Sequence, residues 1–180
     1  AESYRDEHVS QLRTPLARRI AESKFSAPHF YLNVEINMDN AIAARKTIND
    51  KGASKISFND MVILATAKAL KKHPNVNSSW FGDYIRRNDH VNIGVAVAVE
   101  DGLLVPVVRF ADTKSMQQIG AEVKEYAQKA KDKKLQPADW EGNTFTISNL
   151  GMFGIDSFTA IINPPDSCIL AVGGIKEMPV

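Results

Sequence analysis

Two apolar runs, residues 91–99 and 103–108, are joined through Asp101-Gly102. An Asp-Gly step between such runs predicts a two-residue hairpin, because a type I′ turn needs positive φ at both central positions. Strands joined so tightly must run antiparallel, which excludes an all-parallel sheet. The remaining segments have to pack around such a pair.

Several of those segments carry a helical period. Leu12, Leu16 and Ile20 recur every four residues between Gln11 and Lys24, with Arg13, Arg18, Arg19 and Glu22 between them, which predicts an amphipathic helix. Pro15 is tolerated near its first turn, and Pro28 ends the section. Residues 29–38 alternate instead, with Phe30, Leu32, Val34, Ile36 and Met38 on one side and Tyr31, Asn33, Glu35 and Asn37 on the other. That period predicts a half-buried strand. Asp39 is the expected N-cap of a helix through Ala41, Ile42, Ala44 and Ile48, closed by Gly52. Ser57 or Asn59 starts a more apolar helix over 61–72, stopped before Pro74, with the stripe Met61, Leu64, Ala65 and Ala69 expected in the core. Residues 115–133 predict a long helix that turns Met116, Ile119, Val123 and Tyr126 inward. Its basic end at Lys129, Lys131, Lys133 and Lys134 suits the helix dipole. Residues 143–148 and 167–172 read as two more strands. The expected class is α+β, with helices against a mixed or antiparallel sheet.

At 180 residues the chain suits one domain with a sizeable core, residues 11–180, preceded by a polar arm or linker remnant over 1–10. Lys plus Arg number 22 and Asp plus Glu 21, so there is no electrostatic reason to expect nucleic acid or a membrane surface as partner. No apolar run approaches the roughly 18 residues of a spanning helix, and the charged start lacks a secretory signal. The single Cys168 permits no intrachain disulfide. A soluble intracellular protein is expected, unless a targeting segment lies upstream.

Self-contained catalytic kits are missing from the sequence. No phosphate-binding P-loop, no G-x-G-x-x-G and no G-x-S-x-G elbow occurs. His8, His29, His73 and His90 lie far apart, so no metal site is expected. Cys168 sits in an apolar run and reads as a packed thiol. The stretch Thr144 to Gly154 is less generic, because it runs an alternating strand into a glycine-rich turn. Ser148-Asn149 at its end can aim a hydroxyl and an amide into a cleft, or the serine can simply bond the turn backbone. Pro164-Pro165 then forces an extended segment before the next strand.

Several segments together resemble the catalytic domain of the dihydrolipoamide acyltransferases of 2-oxo acid dehydrogenase complexes. They are Arg13 with Ala17 to Lys24, Ala27 to Leu32, Lys55 to Asp60, Val76 to Trp80, Asp101 to Val108, Thr144 to Gly154 and Ala160 to Pro165. They occur in family order over nearly the whole chain. Asn77-Ser78-Ser79-Trp80 and Ile161-Ile162-Asn163-Pro164-Pro165 look most like the acetyltransferases of pyruvate complexes.

The resemblance implies a two-layer fold like that of chloramphenicol acetyltransferase, with a mixed sheet and helices packed on it. It implies acyl transfer between the thiols of dihydrolipoamide and coenzyme A, without a metal, at sites between the subunits of a trimer. Trimers would build a cubic or icosahedral core, served by a lipoyl domain and by decarboxylase and dihydrolipoamide dehydrogenase components. The compartment would be bacterial cytoplasm or mitochondrial matrix.

By family correspondence Ser148 stabilises the oxyanion, and Arg45, Ser57, Ser148, Asn149, Gly173 and Ile175 contact coenzyme A. His29 and Phe30 line the channel or the subunit seam. From the residues alone, Arg45 could equally be a solvated helix arginine, Ser57 a helix cap, Gly173 a strand-end glycine and His29 a structural histidine. The family's general base is the histidine of a His-x-x-x-Asp-Gly motif, which does not occur before Val180. The chain alone is therefore expected to be an inactive scaffold. A stand-alone chloramphenicol acetyltransferase-type enzyme and a non-catalytic core protein are the rival readings.

Overall fold

The computed structural model describes residues 2–52, 54–99 and 102–179. Helices α1 (Arg13–Ser26), α2 (Asp39–Lys51) and α3 (Phe58–Lys72) come first. A hairpin of β1 (Ser78–Trp80) and β2 (Ile85–Arg87) follows. Then come β3 (Ile93–Val95), β4 (Val97–Val99), β5 (Gly102–Leu104) and β6 (Val107–Val108). Helices α4 (Met116–Lys131) and α5 (Pro137–Trp140) lead to β7 (Phe145–Asn149) and β8 (Ile169–Val172).

The core sheet has the order β6-β3-β7-β8. β3 runs antiparallel to β6 and parallel to β7, and β7 runs parallel to β8, so the sheet is mixed as expected. Phe145 and Ile147 of β7 join Ile93, Val95 and Val108 in one cluster, covered by Ile63, Ala67 and Leu70 of α3 and by Ile119 of α4. Each helix start has a local cause. Ser57 caps α3 and exchanges reciprocal bonds with Asp60, while Ser115 does the same for α4 with Gln118.

The structure corrects five expectations. Gly102 is not a turn residue: it pairs with Val99 inside the β4–β5 ladder, and Asp101 lies outside the described residues. The two apolar runs are also each broken, so that β3 and β6 belong to the core sheet whereas β4 and β5 form a separate ribbon. Pro106 marks one break, since it has no N–H for a ladder and only accepts, from Val95 N–H at 2.9 Å.

Residues 29–38 join no ladder, and Phe30, Leu32, Val34 and Ile36 are 72–82% exposed. An alternating pattern tells which side chains share a face, but a strand also needs a partner edge, and none pairs with it among the described residues. The buried stripe of α3 is Asp60, Ile63, Ala67 and Leu70, rotated from the expected one, and Ala65 and Ala69 are exposed. The apolar surface of this helix is wide enough for composition to leave its rotation open. Finally, α2 is capped from Asn37, whose Oδ1 accepts from Asp39 N–H at 2.9 Å, so Asp39 is the first helical residue rather than the cap.

Opposite the apolar cluster, β7 turns Thr146 toward a buried carboxylate. Asp166, 6% exposed, accepts from Asn143 Nδ2 at 2.8 Å and from Thr146 Oγ1 at 2.6 Å. It also bridges to Ser79 of β1. Burial pushes its carboxyl up from 3.8 to about 6, while the two donors and the Arg19 charge pull the other way. An acid with a raised folded-state pKa holds its proton more tightly when folded, so this group stabilises the fold as pH falls from about 6 to about 4. The charged form carries its desolvation cost at all higher pH. Urea titrations should therefore show the wild type gaining on the order of 2–3 kcal/mol relative to Asp166→Asn between pH 7 and pH 4. Parallel stability curves for the two proteins would show that Asp166 is not strained by burial.

Candidate functional site

The C-terminal end of β7 meets the first turn of α3. Ser148 and Asn149 pair with Ala171 and Val172 of β8, and successive residues of a strand point to opposite faces. Asn149 takes up the turn: its Oδ1 accepts from Gly151 N–H at 2.9 Å. Its Nδ2 donates to Asn59 Oδ1 at 3.1 Å, on the first turn of α3. Ser148 is half-buried, and its hydroxyl makes no side-chain hydrogen bond among the described residues. The asparagine, not the serine, is thus the residue that bonds the turn backbone. The serine hydroxyl remains available to an incoming group.

Arg45 and Ser57 gather at the same end of α3. Ser57 Oγ accepts from Asp60 N–H at 3.1 Å, and Ser57 N–H donates to Asp60 Oδ2 at 2.7 Å. Ser57 is therefore a helix cap, and its own O–H proton can still be donated outward. Arg45 Nε donates to Ile56 O at 3.0 Å, and its guanidinium lies over the Phe58 ring at 4.5 Å. Asn49 holds the same segment, donating to Ile56 O at 3.0 Å and accepting from Ile56 N–H at 2.8 Å. Arg45 is accordingly a fixed, half-buried arginine beside the positive end of a 15-residue helix, rather than a freely solvated one. This end of α3 offers two kinds of anion donor, a guanidinium and a helix start.

Gly173 follows β8 directly beside the turn. A Cβ there would fall 1.8 Å from Asp156 O, and one at Gly151 would fall 2.6 Å from Gly173 O. Gly174 N–H donates to Ile155 O at 2.8 Å, and Leu150 N–H to Val172 O at 3.0 Å. The close approach at Gly173 is therefore to the chain's own backbone. Ile175, 48% exposed, lies just beyond it.

His29 and Phe30 are not part of this cluster. His29 Nε2 accepts from Ile162 N–H at 3.1 Å, so Nδ1 carries the proton and donates to Ala27 O at 2.6 Å. Both ring nitrogens are occupied, and the ring ties residues 27–29 to the segment before Pro164. Ser23 Oγ reinforces that tie by donating to Ile162 O at 2.6 Å. Phe30 is 82% exposed. Cys168 is half-buried against the core, and burial, then the Asp166 charge, push its thiol up, away from the thiolate a nucleophile needs.

Two residues of this framework were not assigned by sequence. Asn59 was legible only as a helix start, and Asp166 carried no signal, since nothing in a Pro-Pro-Asp-Ser stretch reveals burial. Replacement of Gly173 by Ala should cost about 3 kcal/mol or more, because a backbone carbonyl cannot retreat as a flexible side chain would. A urea midpoint matching the wild type would show that the two segments are not packed as closely as described.

A family model for the 2-oxoacid dehydrogenases acyltransferase catalytic domain matches residues 1–180. The chain is 48% identical over 180 residues to the dihydrolipoyllysine-residue acetyltransferase component of the pyruvate dehydrogenase complex of Rickettsia bellii, covering 98% of this chain and 43% of that protein. It thus spans about two fifths of the length of that curated relative. Its structure matches a dihydrolipoamide acetyltransferase of Azotobacter vinelandii with a TM-score of 0.95 and 34% identity, covering 99% of this chain and 75% of that one. That protein was studied for the role of one serine, one histidine and one asparagine in its mechanism. The cubic core of a pyruvate dehydrogenase multienzyme complex matches with the same TM-score, identity and coverage. With the α+β fold, the ordered motifs and these likenesses in agreement, the chain belongs to the 2-oxoacid dehydrogenase acyltransferase family and matches its catalytic domain.

Proposed function

We propose that this domain moves an acetyl group between the thiols of dihydrolipoamide and coenzyme A. The observation that carries the reading is the unengaged Ser148 hydroxyl at the end of β7, beside the cationic start of α3. A thiol with a pKa of about 8.5 is mostly protonated at neutral pH, so a base must take its proton as sulfur attacks the thioester carbonyl. A new C–S bond forms and an oxyanion develops, to which Ser148 donates a hydrogen bond. The carbonyl then reforms, the old C–S bond breaks, and the leaving thiolate takes the proton back from the base. Arg45, Ser57 and the α3 start would hold coenzyme A phosphates, with Asn149, Gly173 and Ile175 beside the reacting end.

The base is proposed to come from outside these 180 residues. His29 has both nitrogens engaged, His73 ends α3, His90 lies against Phe110, and His8 is in the exposed stretch before α1. None of them bonds Ser148 or Asn149 among the described residues. Phe30, Leu32, Val34 and Ile36 present apolar surface that self-association would cover, in keeping with trimers that build a cubic or icosahedral core. The lipoyl domain, the decarboxylase and the dihydrolipoamide dehydrogenase are the proposed partners, in bacterial cytoplasm or mitochondrial matrix.

Acetyl transfer from acetyl-coenzyme A to dihydrolipoamide should be measured for residues 1–180 and for the protein as its gene encodes it. Transfer by the encoded protein alone is expected. Equal transfer by both would place the base among the four histidines, and silence in both would remove the acyl-transfer reading. In the encoded protein Ser148→Ala should lower kcat about 10²–10³-fold, the usual cost of a lost oxyanion donor. A kcat within a few-fold of wild type would dismiss Ser148 from that role.

A further inference from the structure

The Asn149 carboxamide has one acceptor oxygen and one donor NH₂. Its oxygen is committed to Gly151 N–H at 2.9 Å, so only the NH₂ can face α3, and Asn59 must present its oxygen in return, at 3.1 Å. The two sides of this bond differ in freedom. Asn59 is the second residue of α3, whose first turn is closed by the Ser57–Asp60 exchange and whose body is anchored by Ile63, Ala67 and Leu70. Asn149 is the last residue of β7, where the ladder ends and the chain bends into the Gly151–Phe153 turn. The helix is thus the fixed partner and the strand end the guided one.

We infer that Asn59 is a positioning residue for the proposed acyl transfer, acting through Asn149 on the strand end that carries Ser148. The inference rests on that functional reading. Asn59 touches no reacting atom in this scheme. It fixes the rotation of the Asn149 carboxamide, which in turn holds the Gly151 N–H and the bend one step beyond the Ser148–Asn149 backbone. Without Asn59, the Asn149 NH₂ loses its partner on α3, the carboxamide is held by the Gly151 N–H alone and can swing with the bend, and the serine hydroxyl loses its aim at the developing oxyanion. The loss falls on the transition state rather than on substrate binding, so kcat should change and KM should not. The fold should survive, because α3 keeps its cap and its core face.

The test is steady-state acetyl transfer by the gene-encoded protein carrying Asn59→Leu, Asn59→Asp, Asn149→Ala, or Asn59→Leu with Asn149→Ala. Asn59→Leu removes the acceptor at similar volume and should lower kcat about tenfold or more, with both KM values within about twofold. Asn59→Asp keeps an acceptor for Asn149 Nδ2 and should recover kcat to within about threefold of wild type. If Asn59 acts only through Asn149, the double variant is no slower than Asn149→Ala alone. Wild-type kcat in Asn59→Leu, an equal loss in Asn59→Asp, or losses that multiply in the double variant would each overturn the inference. Urea midpoints check that the variants fold. Should leucine impair folding, Asn59→Ser, too short to reach Asn149, takes its place with the same expectation. An inert wild type would instead remove the acyl-transfer reading itself, and this inference with it.

Discussion

β7 is hydrogen-bonded along both edges, to β3 on one side and β8 on the other, and the rest of the molecule is placed from it. Both of these ladders are parallel, and parallel neighbours cannot be joined by a tight turn. The chain between β3 and β7 accordingly leaves the sheet for β4 and β5, returns as β6 on the far edge of β3 and leaves again through α4 and α5, and the chain between β7 and β8 takes the long path through Pro164-Pro165. The strand is buried on both faces over Phe145–Ile147 and half-buried only at Ser148 and Asn149. Its ordered interior therefore delivers two polar side chains at the point where it emerges. Chemistry placed at the end of a buried central strand inherits the rigidity of the sheet.

The two faces of that strand solve different problems. Phe145 and Ile147 enter an apolar cluster in which α3 and α4 close the layer, and burial there supplies the main driving force for folding. Thr146 faces the other way into a polar group with Asn143, Asn163 and Asp166. A carboxylate buried among neutral donors is costly even when each oxygen is satisfied, and its proton affinity rises as a result. The polar group ties β7 to β1 through the Ser79–Asp166 bridge and so joins the edge hairpin to the sheet. Specificity of packing on this face is obtained at some expense in stability.

The polar tie from Asn149 to Asn59 and the apolar contact of α3 with the sheet reinforce one another. Packing places the helix start near the strand end, and the carboxamide pair sets their relative rotation. Arg45 joins this arrangement only because Ile56 O and Phe58 lie within its reach. Groups drawn from α2, α3 and β7 thus meet around one helix terminus, and the turn after β8 packs on the Gly151 bend that follows β7, although they are scattered over nearly the whole sequence.

Local chemistry was readable without coordinates wherever neighbours in sequence decide it. Ser57 was one of two readable starts for α3, and Ser115 the readable start of α4, and the alternation of 144–148 predicts β7 because a strand's two faces differ. The ordered motifs identify the family for a similar reason, since each is a contiguous run. What depended on distant partners was not readable. The alternation of 29–38 is real, yet no edge in the described chain meets it. The rotation of α3 followed from which side met the sheet, and the position of Gly102 from a register that the Asp-Gly pair did not determine. Asn59, Asp166 and the Gly151–Gly173 crossing owe their roles to contacts between segments far apart in the chain. Sequence by itself determined the periods and the residue types available for chemistry; only the tertiary structure decided which of them meet, because hydrogen bonds and packing act over a few ångströms of space and take no account of separation along the chain.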